Sequence, residues 1–286
     1  MIRRATQHDI ADLRELWQMV FDDSGQFLDR FFAHLFKPDD CFVVESEGGR
    51  ITSMLFLLEA TASYLQENRS LRYIYACATH PDYRKKGLMG CLLNAAIECA
   101  GKKAFDLILV PANQSLFDYY KRFGFKQEIY HFFSSFPPLS TASATSAWEV
   151  SDVSDINDTV ALLQRLRSDF LMKKDAILWP YAHMKVVIEE LLSQKGEVLV
   201  MKTGIQSPLG YALTLPHDNG TVEIIECVSQ SSQEEMVASL RMHYKDAKTT
   251  FSLPGKTCQS CIKKPFGLLY SKENNAPLYF NLALNE

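Results

Sequence analysis

The stretch HPDYRKKGLMGCLLNAA, residues 80–96, is the most informative part of the sequence for the fold. It places Arg84, Lys85 and Lys86 immediately before Gly87, and an apolar run at helical spacing follows. We therefore expect a loop that leads into a helix. The first N–H groups of a helix lack partners within it and carry partial positive charge. The stretch predicts an anion-binding helix start, although a solvated run of charges explains these residues alone equally well.

The composition limits the classes of function. The chain has 286 residues, of which 47% are hydrophobic and 22% charged, as in a globular protein with a substantial core. The formal net charge of −4 argues against general nucleic-acid binding, although a local basic patch can still bind a small anion. No segment has the apolar length of a membrane helix, and the first residues lack the apolar core of a secretory signal.

The cysteines predict a location and argue against a metal. Seven is an odd number in a chain large enough to need no disulfides, which predicts a reducing, cytoplasmic location. Cys258 and Cys261 form a C-x-x-C pair, but no second ligand pair follows at the spacing of a zinc site. The sequence therefore predicts no metal.

The same order of elements is expected twice. Helix, helix, hairpin, strand, helix and strand follow one another in residues 1–136 and again in residues 149–286, where a last strand is expected at PLYFNLAL, residues 277–284. Residues 137–148, PPLSTASATSAW, show no periodicity and are typical of a linker. We therefore predict an α/β fold of the α+β kind with a mixed sheet, in two tandem domains.

The two predicted domains differ where the central strand leads into the next helix. The first has THPDYRKKGLMG at residues 79–90, and the second has VSQSSQEEMV at residues 228–237. The second stretch contains no glycine, lysine or arginine and carries Glu234 and Glu235 instead. Only the first stretch suits a polyanion, so the second domain is expected to be a degenerate copy.

Two motifs of the first domain resemble those of the GCN5-related N-acetyltransferases, the GNAT superfamily. Arg84 and Gly87 fit the pattern R/Q-x-x-G-x-G/A, with Met89 where the family usually has Gly or Ala. A later motif, N-x-x-A-x-x-x-Y-x-x-x-G-F, is matched within residues 107–125, with Leu116 in place of the small residue. The matching residues of this later motif are Asn113, Tyr120, Gly124 and Phe125. The resemblance covers residues up to about 130, and the tandem arrangement is similar to the Eis-like branch.

The resemblance implies that acetyl-CoA is the cosubstrate. In the family, backbone N–H groups of the R-x-x-G loop bind the pyrophosphate, here those from Lys86 to Gly90. Residues near the end of the central strand offer backbone groups to the pantetheine arm and the acetyl carbonyl. The cofactor-binding residues that the resemblance implies are Cys77, Thr79, Arg84, Lys85, Lys86, Gly87, Leu88, Met89, Gly90 and Asn113.

The resemblance also implies a general acid and leaves the general base open. It places Tyr120 beside the CoA sulfur, where a phenol with an ordinary pKa near ~10 can protonate the departing thiolate. The central strand, YIYACAT, contains no carboxylate to serve as base. Three alternatives remain: Glu59 on the preceding strand, water, and a C-terminal carboxylate at Glu286, as the Eis-like resemblance implies.

The resulting expectation is an N-acetyltransferase in which the amine of a small molecule or peptide attacks acetyl-CoA directly in a ternary complex. One alternative is a catalytically idle CoA-binding or regulatory module. A second is an aminoacyl-tRNA-dependent transferase, against which the acidic charge balance argues. The second domain is expected to wall the acceptor pocket near Trp179, Pro180 and Tyr181, or to serve stability or homo-oligomerisation.

Overall fold

The computed structural model describes residues 1–64, 67–139, 148–151, 153–171, 174–201, 208–255, 258–271, 279–282 and 284. The helices are α1 Ile10–Val20, α2 Gly25–His34, α3 Leu88–Lys103, α4 Gln114–Lys121, α5 Ile156–Leu171, α6 Tyr181–Ser193 and α7 Gln233–His243. The strands are β1 Ile2–Arg4, β2 Cys41–Glu45, β3 Ile51–Tyr64, β4 Glu67–Thr79, β5 Asp106–Leu109, β6 Gln127–Phe136, β7 Trp148–Val150, β8 Ala176–Leu178, β9 Glu197–Met201, β10 Gly210–Pro216, β11 Thr221–Ser229, β12 Lys248–Leu253 and β13 Ile262–Tyr270. We call the residues up to 139 the first half and those from 148 the second half.

Local sequence signals explain where the first helices begin. Thr6 and Asp9 form a reciprocal capping box, in which the Thr6 backbone N–H donates to Asp9 Oδ2 over 2.6 Å. Hydrogen bonds from Arg3 hold the pKa of the Asp9 carboxyl well below its usual range. Ser24 begins α2, because its Oγ accepts from the Phe27 N–H over 3.1 Å.

The strands form a single mixed sheet, which confirms the predicted α/β fold. Their order is β1-β2-β3-β4-β5-β13-β6-β12-β11-β10-β9-β7, and β8 pairs with β3 outside this path. The pairs β4–β5 and β11–β12 are parallel, whereas the other pairs are antiparallel. The parallel pairs hold the same position in each half, as a repeat of one unit requires.

The two halves exchange strands at the middle of the sheet. The strand β13 lies between β5 and β6, with Leu268 opposite Leu109, and β6 in turn pairs with β12, with Ser135 opposite Thr250. The sheet of the first half is therefore continuous only through a strand of the second half. The proposed division into residues 1–136 and 149–286 stays a prediction, and residues 140–147 of the proposed linker lie outside the described residues.

Our sequence analysis missed β13 and wrongly expected a strand near the end of the chain. Two lysines and Pro265 interrupt the apolar pattern of β13, and a bulge between Pro265 and Gly267 accommodates the proline. At the predicted last strand, Tyr279 forms an isolated parallel bridge with Ala176, and the other described residues there are not in a strand. We call residues 279–282 and 284 the strap.

The core consists of three clusters on the two faces of the sheet. The largest contains side chains from α1, α2, α5 and α6 and so spans both halves. The second lies beneath α3 and α4, and the third beneath α7. Alternate residues of β4 serve different faces, since Tyr73 and Tyr75 join the first cluster and Ile74 the second.

Two further features of the described residues bear on function. None of their helices combines the length and apolarity needed to cross a membrane, and no three metal-ligating side chains among them gather into a site. All seven cysteines lie among the described residues, and none of them, Cys258 and Cys261 included, forms a disulfide. The cytoplasmic location stays a prediction.

The exchanged strand provides a test of the fold. A Cβ on Gly267 would lie 2.9 Å from Phe280 Cε1 and 3.1 Å from the Leu109 carbonyl oxygen. We expect Gly267→Ala to lower the free energy of unfolding by about 1–3 kcal/mol in urea denaturation. Gly101→Ala in α3 is the matched control, because a Cβ there meets nothing within 4 Å, and it should be neutral or slightly stabilising. Equal effects of the two substitutions would contradict the close packing of β13.

Candidate active site

A gap in the sheet begins where β4 and β5 cease to pair. Their parallel pairing covers Leu71–Tyr73 of β4, although this strand continues to Thr79. A bulge against β3 and the positive φ of 47° at Ala76 mark the unpaired part. Here lies a cavity of about 40 Å³, which we call the cleft. The residues that line it are Tyr73, Ile74, Tyr75, Ala76, Cys77, Leu109, Val110, Ala112 and Tyr120.

The predicted anion loop leads from the end of β4 into α3. Gly87 is the N-cap of this helix at φ 78°, and a Cβ there would meet nothing within 4 Å. Glycine is therefore favoured by the backbone conformation and not by lack of space. No side chain caps the first turn of α3, so its first N–H groups point out of the helix end. Arg84 Nε donates to the Thr79 carbonyl over 3.2 Å, which ties the loop to β4.

The unusual methionine of the loop and the next glycine both face protein. Met89 packs against the apolar cluster beneath α3 and α4, which explains how a large residue is accommodated there. A Cβ on Gly90 would lie 3.2 Å from Phe123 Cζ and 3.9 Å from Tyr119 Oη. Gly90 thus lets the aromatic side chains at the end of α4 approach the start of α3.

The short helix α4 carries Tyr120 to the cleft. Asn113 caps this helix, since its Oδ1 accepts from the Leu116 N–H over 3.3 Å and from Ser115 Oγ over 2.6 Å. Tyr120 is 7% exposed and lines the cleft, whereas its neighbour Tyr119 does not. The structure therefore brings Tyr120 and Cys77 together, with the loop from Arg84 to Gly90 at the end of the same strand.

Glu59, one of the two carboxylates suggested as the base, is not among the residues that line the cleft. Glu59 lies on β3 opposite Arg72 and forms an ion pair with Lys37, with Oε2 and Nζ 2.8 Å apart. The hydrogen bond from Lys37 lowers the pKa of the Glu59 carboxyl, which weakens it as a base. Glu286 lies outside the described residues.

The strap approaches the cleft from the second half, and the sequence analysis missed the contacts that hold it. Four buried side chains hold its backbone carbonyls by hydrogen bonds. The donors and acceptors are Tyr73 Oη to Leu284 (2.6 Å), His131 Nε2 to Phe280 (2.7 Å), Trp179 Nε1 to Asn281 (2.7 Å) and His183 Nε2 to Leu282 (2.8 Å). No sequence signal points to these pairs, because they join residues far apart in the chain. Trp179, which the sequence analysis expected near the acceptor pocket, donates its indole N–H to the strap.

The half-buried carboxylate of Asp23 contacts Trp17, whose ring lies near a tyrosine of the cleft. Trp17 Nε1 donates to Asp23 Oδ2 over 2.8 Å, and burial raises the pKa of the Asp23 carboxyl. The ring of Trp17 lies 5.6 Å from that of Tyr75, which lines the cleft. The apolar spacing of Leu13, Leu16 and Trp17 in α1 agrees with the core position of Trp17 but carries no signal for this polar contact.

At the corresponding helix of the second half, α7, side chains already bond to the N–H groups at the helix start. Ser232 and Glu235 form a reciprocal capping box at the start of α7, with the Glu235 N–H donating to Ser232 Oγ over 3.2 Å. Glu234 adds a second negative charge in this first turn. Pairing of β11 with β12 likewise ends early, at Ile224. The early end of strand pairing is thus repeated in the second half. The positive charge and the uncapped N–H groups at the helix start are found at α3 but not at α7.

Comparison with known proteins agrees with this geometry. The family described as "Acetyltransferase (GNAT) domain" matches residues 1–127. An uncharacterized N-acetyltransferase of Methanocaldococcus jannaschii is 26% identical over 141 residues, 44% of this chain and 61% of the relative. The match thus spans about three fifths of that curated relative.

Solved structures share the fold over most of the chain. A probable N-acyltransferase from Enterococcus faecalis has a TM-score of 0.76 at 10% identity, over 94% of this chain and 71% of the other. A GCN5-related N-acetyltransferase from Anabaena variabilis has 0.75 at 16%, over 94% and 72%. Eis1 from Mycobacterium abscessus has 0.68 at 11%, over 94% and 73%. At these identities the likeness concerns the fold.

The split sheet and the helices around it form the fold that the chain shares with these solved structures. Residues 1–127 match the family described as an acetyltransferase (GNAT) domain, the superfamily that the two sequence motifs resemble. This confirms the resemblance drawn from the two motifs, and the structural match to Eis1 supports the Eis-like arrangement.

The two buried histidines that bond to the strap, His131 and His183, predict a pH dependence of stability. Burial lowers the pKa of both His131 and His183 to about 4. Unfolded histidine titrates near ~6.5, so each contributes stability that is present above this pH and lost as the pH falls towards 4. We expect up to about 3 kcal/mol per histidine over this range. Urea denaturation between pH 7 and 4.5 should show a shallower loss for His183→Gln than for the wild type, and identical slopes would refute this.

Proposed function

We propose that the protein transfers the acetyl group of acetyl-CoA to a primary amine of a small molecule or peptide, by direct attack in a ternary complex. One observation carries this proposal: the cleft between β4 and β5 has Tyr120 on its wall and the uncapped, positively charged start of α3 at the end of the same strand. The thioester of acetyl-CoA would lie at the cleft beside Tyr120, and its pyrophosphate would lie at the start of α3.

The residues of the loop suit the pyrophosphate of CoA. We assign its binding to the backbone N–H groups from Lys86 to Gly90, with Arg84 and Lys85 supplying positive potential. The narrow cleft beside Cys77 suits the pantetheine arm, because its walls are largely apolar. Thr79 and Asn113 remain proposed contacts. The capped, acidic start of α7 supports the view that the second half binds no CoA.

The chain supplies an acid and backbone dipoles for the transfer. Tyr120 would give its phenolic proton to the departing thiolate, since a phenol is protonated at neutral pH. Backbone groups of β4 beyond the end of its pairing with β5 are available to polarise the acetyl carbonyl. Asp23, held by Trp17 next to Tyr75, would attract the cationic part of an amine acceptor.

Three candidates for the general base remain. The ion pair with Lys37 makes Glu59 the weaker carboxylate. The strap supports the C-terminal candidate, because the Leu284 carbonyl accepts from Tyr73 at the cleft wall, two residues before Glu286 in sequence. Water is the third candidate, since the part of the chain that the structure describes places no carboxylate in the lining of the cleft.

The same lack of a carboxylate favours a second candidate function. A catalytically idle module would keep the CoA loop and the cleft but need no base. The aminoacyl-tRNA-dependent transferase is a weaker alternative, because the net charge of −4 suits a nucleic-acid substrate poorly.

The decisive experiment measures CoA release from acetyl-CoA with aminoglycosides, polyamines and lysine peptides. We expect turnover with the wild type and a loss of about 100-fold or more in kcat for Tyr120→Phe, because its acid is removed. Tyr119→Phe is the matched control and should stay near the wild type. CoA binding without turnover on any amine would establish the idle module, and unchanged kcat in Tyr120→Phe would discard Tyr120 as the acid.

Deletion of Asn285 and Glu286 tests the C-terminal base. If this carboxylate deprotonates the amine, kcat should fall by about 100-fold or more, and the activity lost should be partly recovered at high pH, where more of the amine is already neutral. CoA affinity should stay within error of the wild type. Full activity with intact folding would eliminate the terminus and leave Glu59 or water.

A further inference from the structure

The strap pairs with β8 at Tyr279, and beyond this residue it is held by side chains. Its donors come from both halves, since Tyr73 lies on β4, His131 on β6, and Trp179 and His183 at and near the start of α6. In a sheet, backbone N–H groups of the next strand would satisfy such carbonyls. The described carbonyls beyond Tyr279 each accept from a specific side chain instead, so the path of the strap there depends on residues of the surrounding protein.

The donors are buried, which makes each bond consequential. Trp179 is 4% exposed and His183 is 1% exposed, and their rings stack with centroids 3.9 Å apart. Asn281 adds a bond in the other direction, from its Nδ2 to the Ile225 carbonyl over 2.7 Å. Loss of one donor leaves a buried carbonyl without its partner, which is costly in a site closed to water.

The held strap ends at the wall of the cleft. The Leu284 carbonyl accepts from Tyr73, and the ring of Tyr73 also meets that of Trp179 edge-on at 5.7 Å. Tyr73 is the last residue of β4 that pairs with β5 and the first that lines the cleft. The strap therefore connects donors of the second half with the point at which the sheet opens.

We propose that Trp179 and His183 are positioning residues for the reaction in the first half. They fix the strap at Asn281 and Leu282, so that its end holds Tyr73 and with it the acceptor side of the cleft. The second half thus acts on catalysis through the strap. This inference rests on the proposed acetyl transfer for its kinetic consequence only.

Substitutions can remove the donors while keeping the packing. Trp179→Phe retains a ring but loses the indole N–H, and His183→Met loses the donor in a similar volume. His183→Gln is the rescue variant, because its side-chain amide carries a donor at the reach of Nε2. Trp148→Phe is the matched control, since Trp148 Nε1 donates to Ser239 Oγ over 2.8 Å in the second half, away from the strap.

The first measurement is steady-state kinetics with an accepted amine. We expect kcat to fall about tenfold and KM for the amine to rise in Trp179→Phe and His183→Met, because misplacement of the cleft wall costs rate. The dissociation constant of CoA should change less than about twofold. His183→Gln should recover most of the rate, and Trp148→Phe should keep it. Wild-type kinetics in the first two variants, with thermal midpoints lowered as in Trp148→Phe, would overturn the proposal.

The second measurement needs no activity. Hydrogen exchange followed by mass spectrometry should show faster exchange in the β4 peptide, Glu67–Thr79, for Trp179→Phe and His183→Met but not for Trp148→Phe. Faster exchange confined to the strap would overturn the proposal, since the second half would then not reach the cleft. If the wild type transfers acetyl to no amine, the proposed function fails, and this measurement still decides whether Trp179 and His183 hold the cleft wall.

Discussion

Parallel pairing between β4 and β5 stops at Tyr73, although β4 continues to Thr79, and the rest of the site depends on this early end. A strand that kept its partner would have no free backbone groups and no room beside it. The bulge against β3 and the left-handed Ala76 turn β4 out of the regular ladder. Tyr120 can line the resulting cleft because α4 follows directly after β5.

Two of the connections between the second half and the first reach the region of the cleft, which suggests why a copy with a capped, acidic helix start is part of the molecule. Its strand β13 lies between β5 and β6, so it closes the sheet next to the cleft. Its strap then crosses to β4, where the Leu284 carbonyl meets Tyr73. Both connections bury polar backbone groups with specific partners, and this fixes the geometry of one half relative to the other.

Charge and capping distinguish two helix starts with the same place in the repeat. At α3 the N-cap is Gly87 in a left-handed conformation, and no side chain makes a capping hydrogen bond to the first turn. At α7 Ser232 and Glu235 satisfy each other's N–H groups, and Glu234 adds negative charge. Helix N-termini attract anions because their first N–H groups lack partners within the helix. At α3 no side chain caps these N–H groups. At α7 the side chains of Ser232 and Glu235 already accept from them.

The sequence alone determined the features that depend on near neighbours. The glycine at α3, the caps at Thr6 and Asn113, and the two motifs around Gly87 and Tyr120 are local patterns with local physical causes. Only the tertiary structure decided which strands pair at the centre and what holds the strap. The lysines and proline of β13 interrupt the apolar pattern by which a central strand is recognised in a sequence. The hydrogen bond from Tyr73 to Leu284 joins residues 211 positions apart. Contacts of this kind depend on the complete packing of both halves, so no short segment carries a signal for them.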